Sequence, residues 1–371
     1  MNPLTATAST SSTPHAEAVH GTGAFAALRS GAYMVLDQYG LIGVEGADAA
    51  SFLHNLLTND IQALPEERAR LAGFCTPKGR LLASMLAWRD AQAIHLMLSA
   101  ELAEPIRKRL SMFVLRAKAT LHDALATTRL IGLCIDAGTG VAAGEGAGPG
   151  AGAAASLAAL LAPHFDALPA QPYDVSHGGV HASGSLLRLP DAAGLARYLW
   201  AAPAALWEAC SADWPATLAQ LEPHTWDWLA VQAGEPRITA ATQEKFVPQM
   251  INFEVIGGVN FKKGCYPGQE IVARSQYLGT IKRRAMLAHL DDAAAHAAAP
   301  GVEVYNSDDP AQPCGLVINA AGVPGAAGSL DCLIEIKLDA LTHGSVHLGR
   351  ADGPLLSVSQ PPYAFPGLDA A

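Results

Sequence analysis

The sequence predicts an α+β protein, with two α+β lobes forming one core and a small β-barrel closing the chain. Three observations carry this. The 371 residues exceed one comfortable hydrophobic core. Half of them are apolar and only 16% are charged, which suits large buried interiors. Short strand-like and helix-like runs are mixed as far as Tyr277, and after it only short strands with Gly and Pro turns follow.

Residues 1–24 are rich in Ala, Ser and Thr and contain no Arg or Lys. They read as a disordered tail, with neither signal peptide nor presequence, on a cytoplasmic protein. No apolar run reaches the roughly 18 residues needed to cross a bilayer, so no membrane partner is expected. The core is expected over 25–279. Tyr33–Leu36 and Leu41–Glu45 read as strands around a turn at Tyr39–Gly40, and a helix follows that places Phe52, Leu53, Leu56 and Leu57 on one face. Leu71–Cys75, Leu81–Trp88 and Ile94–Leu98 are strand-like, the middle one apolar enough to be covered on both sides. A helix near Glu104–Met112 and a strand near Ala117–Leu121 complete the first lobe.

From Ala137 to Ala155, 15 of 19 residues are Gly or Ala, which predicts a flexible insertion. Within it Gly138–Thr139–Gly140–Val141–Ala142–Ala143 matches a dinucleotide pattern, without the ordered helix and acidic residue that such a site needs. The second lobe opens with a strand at Leu186 and continues through Leu195–Cys210 as helix. The barrel is expected over 280–360, with residues 361–371 as a tail. In it Ile334, Ile336 and Leu338 alternate with Glu335 and Lys337, the pattern of a half-buried strand.

The net charge of −10 argues against direct nucleic-acid binding, which draws its affinity from neutralised phosphates. The basic run Lys282–Arg283–Arg284 reads as a solvated strand edge or a site for a small polyanion. Six cysteines are present without a C-x-x-C pair, so neither a disulfide framework nor a metal site is expected. Five sit among apolar residues. The sixth, Cys265, lies in Lys262–Lys263–Gly264–Cys265–Tyr266–Pro267–Gly268–Gln269–Glu270, between two lysines and a helix expected from about Gly268 to Tyr277, with Pro267 suited to a first helical position. Neighbouring ammonium groups and a helix N-terminus both favour thiolate over thiol, which marks Cys265 as a candidate reactive residue. Beside it Lys263 is placed to stabilise the thiolate and Glu270 to accept a proton.

This segment, with Phe246–Val247–Pro248–Gln249–Met250–Ile251–Asn252 and Gly257–Gly258–Val259–Asn260–Phe261 before it, resembles the YgfZ family. The family's K-G-C-Y-x-G-Q-E signature is complete from Lys263 to Glu270, and weaker resemblance runs from about Leu36 to Pro361. The resemblance implies an aminomethyltransferase-like fold and a protein that binds tetrahydrofolate or a related folate. It implies work in assembly or repair of iron–sulfur clusters, including those of tRNA-modifying enzymes, with such enzymes or assembly proteins as partners. It places Tyr39, Trp228, Gln232, Asn252, Gln269 and Arg274 around the folate, Tyr39 and Trp228 as flat faces for the pterin. A folate-dependent one-carbon transferase or demethylase using Cys265 as nucleophile is the alternative, and a non-catalytic RNA- or protein-binding scaffold the third reading. Two departures argue against a glycine-cleavage aminomethyltransferase. Gln232 stands where those enzymes carry a pterin-gripping carboxylate, and Ala83 and Ser84 stand where they carry an essential Asp.

Overall fold

The computed structural model describes residues 23–139, 151–179, 183–291 and 298–364. Residues 1–22 of the tail expected over 1–24 and most of the Gly/Ala-rich segment therefore lie outside the described residues, whereas Gly23 and Ala24 are helical. Helix α1 (Gly23–Arg29) buries Phe25 and Leu28 and hands the chain to β1 (Ala32–Val35). Strands β2 (Tyr39–Glu45), β3 (Arg70–Cys75), β4 (Leu81–Arg89), β5 (Ala93–Ser99) and β6 (Thr120–Asp123) form an antiparallel sheet in the order β3-β4-β5-β2-β6. Helices α2 (Ala49–His54) and α3 (Ala100–Ser111) pack on it.

The chain then runs through β7 (Thr128–Asp136), α4 (Ala151–Leu161), β8 (Val175–His177), β9 (Ser185–Ala192), β10 (Leu195–Pro203), α5 (Ala204–Cys210), β11 (Ala219–Gln220) and α6 (Pro223–Gln232). The second sheet has the order β11-β1-β7-β10-β9-β8, so β1 ties the start of the chain into the second lobe. Helix α7 (Gln269–Tyr277) follows the motif loop. The last sheet combines β12 (Arg283–Leu290), β13 (Glu303–Asn306), β14 (Gly315–Gly322), β15 (Leu330–Lys337), β16 (Val346–Leu348) and β17 (Ser357–Ser359). Its order is β16-β13-β14-β15-β12-β17, antiparallel and curled into a half-barrel.

Alternate residues of the first sheet feed two cores. Ile42, Val44, Leu96 and Leu98 join Phe246, Ile251 and Val272 of the motif region. Leu41, Trp88 and Met97 join Met34 and Leu199 of the second sheet and Trp226 and Trp228 of α6. A third core on the far face of the second sheet is built from Tyr33, Trp200, Trp207 and Trp214, whose rings meet edge-on or stacked at 5.1–6.1 Å.

Five local expectations need correction. Leu195–Pro203 is a strand, and helix begins only at Ala204. Its Ala196, Tyr198, Trp200 and Ala202 enter one core while Leu195, Leu199 and Ala201 enter another, so a central strand apolar on both faces shows no period of two. The turn before β2 precedes Tyr39, which is itself in the strand. Glu335 is buried rather than outward-facing: it is 2% exposed and ion-paired with Arg283 at 2.7 Å. Arg284 is likewise buried against Glu254, so two of the three cations in the basic run are held in ion pairs with buried carboxylates, and the run is no solvated edge. The Ala-rich end of the insertion also has structure, since α4 starts at Ala151 and buries Leu157 and Leu161. Alanine is the strongest helix former, and two buried leucines suffice to dock such a segment.

Candidate functional site

The segment carrying Cys265 is fastened at both sides before its chemistry begins. Upstream, a short turn over Pro248–Ile251 ends at Asn252, whose left-handed backbone (φ 56°) is one that asparagine tolerates better than most residues. Its side-chain amide donates to the Ala285 carbonyl at 2.8 Å, locking the turn to β12. Next, the carbonyls of Gly257 and Gly258 accept from the Asn59 amide at 2.7 Å and the Thr58 hydroxyl at 2.6 Å. Thr58 also accepts from the Gly73 N–H, so the stretch Thr58–Asn59–Asp60 couples the loop to β3. Downstream, Gly268 caps α7 with φ 84°, and a Cβ there would lie 2.6 Å from the Gly79 nitrogen. Only glycine satisfies both demands. Helix α7 thus begins at Gln269, two residues after Pro267, and Cys265 belongs to the loop rather than to the first helical turn.

Lys263 points inward. Its ammonium donates to the main-chain carbonyls of His54 and of Leu57, the latter at 2.7 Å, and it lies 4.8 Å from the Tyr266 ring centre. Burial pulls its pKa down to about 8, while the nearby Asp60 and Cys265 pull the other way. Cys265 itself is exposed, the only described cysteine that is; Cys210 is half-buried and the other four are buried. His54, at the end of α2, turns its ring under the loop. Its Nε2 is 3.7 Å from where a Cβ on Gly264 would sit, and its Nδ1 is 2.9 Å from Asp60 Oδ1. Burial alone would raise the Asp60 carboxyl, but the Ala63 amide and the His54 imidazole outweigh it and hold the group below its ordinary value. His54 and Asp60 were not legible as site residues in the sequence. The one available signal was their six-residue spacing across the end of a helix, which is common and carries no specificity.

The depressed lysine has a measurable sign. Between about pH 8 and the ordinary lysine value of roughly 10.4, the unfolded chain holds a proton that the folded one lacks, so stability rises with pH. Urea unfolding of the wild type and of Lys263→Met is expected to diverge by about 3 kcal/mol in favour of the wild type across that window. A pH-independent difference would mean that the two carbonyl bonds keep the ammonium fully charged at no cost.

A second feature lies between the lobes. A cavity of about 70 Å³ is lined by Tyr39, Met97, Tyr173, Trp226, Glu235 and Arg237, with Ser84, Met85, Leu86 and Ala230 among its other walls. Trp226 reaches it because Gly132 on β7 leaves room for the ring; a Cβ on Gly132 would be 2.5 Å from Trp226 Cε3. The Arg237 guanidinium lies 4.6 Å from the Tyr39 ring centre and is 2.8 Å from Asp227. Glu235 pairs at 2.9 Å with Arg197, which is wholly buried. Desolvation raises the Tyr39 phenol, with Arg237 opposing. Flat aromatic faces, one carboxylate and one guanidinium are the chemistry a pterin needs.

The residues singled out from the sequence do not converge on one place. Tyr39 lines the cavity. Trp228 packs edge-on to Phe25 and donates through Nε1 to Asp331 at 2.7 Å, and Gln232 donates to the same carboxylate, so both face the C-terminal sheet. Asn252 braces β12. Gln269, Glu270 and Arg274 ride on α7, the last two exposed, and no ion pair joins them among the described residues. No residue of 246–278 lines the cavity, so the thiol loop and the aromatic cavity are separate features. Trp226, Glu235 and Arg237 were missed. Trp226 is a two-residue neighbour of Trp228 on a helix, where only the docking of α6 decides which ring looks into the gap.

Comparison with known proteins places this geometry. Over 250 residues, 67% of this chain and 69% of the relative, the sequence is 29% identical to a Shigella boydii protein named tRNA-modifying protein YgfZ. A protein of the same name from Escherichia coli strain K12 matches to the same extent. The glycine cleavage system aminomethyltransferase T from Bartonella henselae superposes with a TM-score of 0.66 over 91% of this chain and 86% of its own, at 15% identity, and so shares the fold. No family model matches the chain. No helix among the described residues is long and apolar enough to cross a membrane.

Proposed function

The chain is a relative of the YgfZ proteins, and from that premise we propose that it binds a folate and supports tRNA modification by assisting assembly or repair of the iron–sulfur clusters of the modifying enzymes. What carries the reading is the unbroken Lys263–Glu270 motif, held on a fold shared with a glycine-cleavage aminomethyltransferase. The pterin of tetrahydrofolate would sit between the lobes against Tyr39 and Trp226, with Glu235 accepting from its N–H edge and Arg237 beside the ring. Bound there, the folate supplies a one-carbon carrier. The chain's own contribution is to bind and orient it and to present Cys265 on a separate, braced loop.

A transferase acting through an acid on β4 is not supported. Ala83 is apolar, and Ser84 is spent on the main chain, donating to the Pro236 carbonyl at 3.1 Å and accepting from the Ile238 N–H at 3.0 Å. Calorimetric titration of tetrahydrofolate is expected to show saturable binding in both wild type and Cys265→Ser. In cells lacking the native gene, only the wild type is expected to restore cluster-dependent tRNA modification. Absence of binding in the wild type would remove the folate, and full restoration by Cys265→Ser would remove the thiol.

A further inference from the structure

We infer that Arg197 is the positioning residue of the inter-lobe cavity: it holds one oxygen of the Glu235 carboxylate and leaves the other for an N–H donor edge of the bound ring. It rests on the reading of this cavity as the folate site and adds a residue from behind the lining. Two side chains break the pattern of their own elements, and they meet each other. Helix α6 ends in a Schellman turn, in which the Gly234 N–H donates to the Val231 carbonyl at 2.9 Å and the Glu235 N–H to the Ala230 carbonyl at 3.0 Å, with Gly234 left-handed at φ 66°. Such a turn ordinarily seats an apolar residue in the place that Glu235 occupies. The Tyr363 hydroxyl braces it by donating to the Gly234 carbonyl at 2.9 Å. Arg197 departs from its strand in the same way. It lies between Leu195 and Leu199 on the face of β10 that enters the inter-lobe core, and it is 0% exposed. Its Nη2 is 2.9 Å from Glu235 Oε2, its Nε donates to the Pro190 carbonyl at 2.8 Å, and its guanidinium lies 5.5 Å from the Trp226 ring centre.

Glu235 and Trp226 both line the cavity, while Arg197 does not. One buried guanidinium therefore holds a carboxylate and a ring of the same wall. Its Nη1 makes no hydrogen bond among the described residues. An orphaned N–H in an apolar interior is a cost that a leucine at this place would avoid, and a buried ion pair seldom outdoes well-packed apolar groups in stability. The other guanidinium of the wall, Arg237, is already paired with Asp227 at 2.8 Å, so Arg197 is the cation that serves Glu235. With Oε2 engaged, Oε1 is the oxygen that can accept from a ligand, and a hydrogen bond to a carboxylate is stronger than one to a neutral acceptor. The ligand class that fits is a planar ring carrying N–H donors along one edge, which a pterin has.

The test is a double-mutant cycle on tetrahydrofolate affinity, read by calorimetry on the full-length protein. Arg197→Met is expected to weaken binding at least ~10-fold, and Glu235→Gln, which keeps a carbonyl oxygen toward Arg197, at least ~10-fold as well. In the Glu235→Gln background, Arg197→Met is expected to cost less than ~3-fold more, because Arg197 acts through that carboxylate. Arg197→Lys keeps a charge beside Oε2 without the planar face, and it is expected to stay within ~3-fold of the wild type. The double variant carries neither charge of the pair, so it can still be compared with Glu235→Gln if Arg197→Met alone does not fold. Losses that multiply in the double variant would mean that Arg197 acts on the fold or the ligand by itself, and would overturn the inference. Unchanged affinity in Arg197→Met would overturn it too, and a loss in Arg197→Lys as large as in Arg197→Met would move the role to the face against Trp226. Each of these outcomes leaves folate binding in place, whereas a wild type that binds no tetrahydrofolate would remove the folate reading and this inference together.

Discussion

Glu254→Ala is expected to cost about 3–5 kcal/mol of folding stability, the largest loss for a single change outside the apolar cores. Glu254 and Arg284 are 6% and 5% exposed, and they join the motif region to the first strand of the C-terminal sheet. Arg284 also donates to the Gln249 carbonyl at 3.2 Å. Alanine would remove one half of a buried ion pair, and breaking such a pair by taking away a single partner costs far more than replacing both with apolar groups. The double replacement Glu254→Leu with Arg284→Met removes both charges and should recover most of the deficit. Urea midpoints of the two variants settle it. If the single change costs under about 1 kcal/mol, the pair behaves as a hydrated surface bridge.

That pair also shows where the sequence was legible and where it was not. The run Lys282–Arg283–Arg284 announces charge but not direction, because each partner lies 30 to 52 residues away along the chain. Local patterns fared better. The strand over Leu330–Lys337 and the helix beginning with Ala49 follow from periodicity and breakers alone. Leu195–Pro203 did not, since burial on both faces erases the period that separates strand from helix. The thiol loop was visible as a whole because its residues are contiguous. Its histidine was not, because His54 reaches the loop only through the packing of α2, and Glu235 and Arg237 reach the cavity only once α6 is docked. A site made of one contiguous motif can be read from sequence; a site made by docking needs the docked elements.

Ala230→Leu is the sharpest test of the cavity as the folate site. Ala230 lines it on α6, one turn along the same helix face from Trp226. Leucine there adds three carbons to a space of about 70 Å³, so it fills the cavity without introducing charge. Overpacking of that kind costs typically 1–3 kcal/mol, whereas filling a void offsets part of it, so the fold should survive. Tetrahydrofolate affinity is expected to drop at least ~100-fold, about 2.8 kcal/mol, because the pterin and the leucine cannot share the site. Cys265 alkylation should be unchanged, since no residue of the thiol loop touches this cavity. The combination discriminates between arrangements that a loss of binding alone does not. Affinity retained in a folded Ala230→Leu protein would put the folate elsewhere. Affinity lost together with altered thiol reactivity would mean that the cavity and the loop move as one unit, and the folate would then act on Cys265 by shifting the loop.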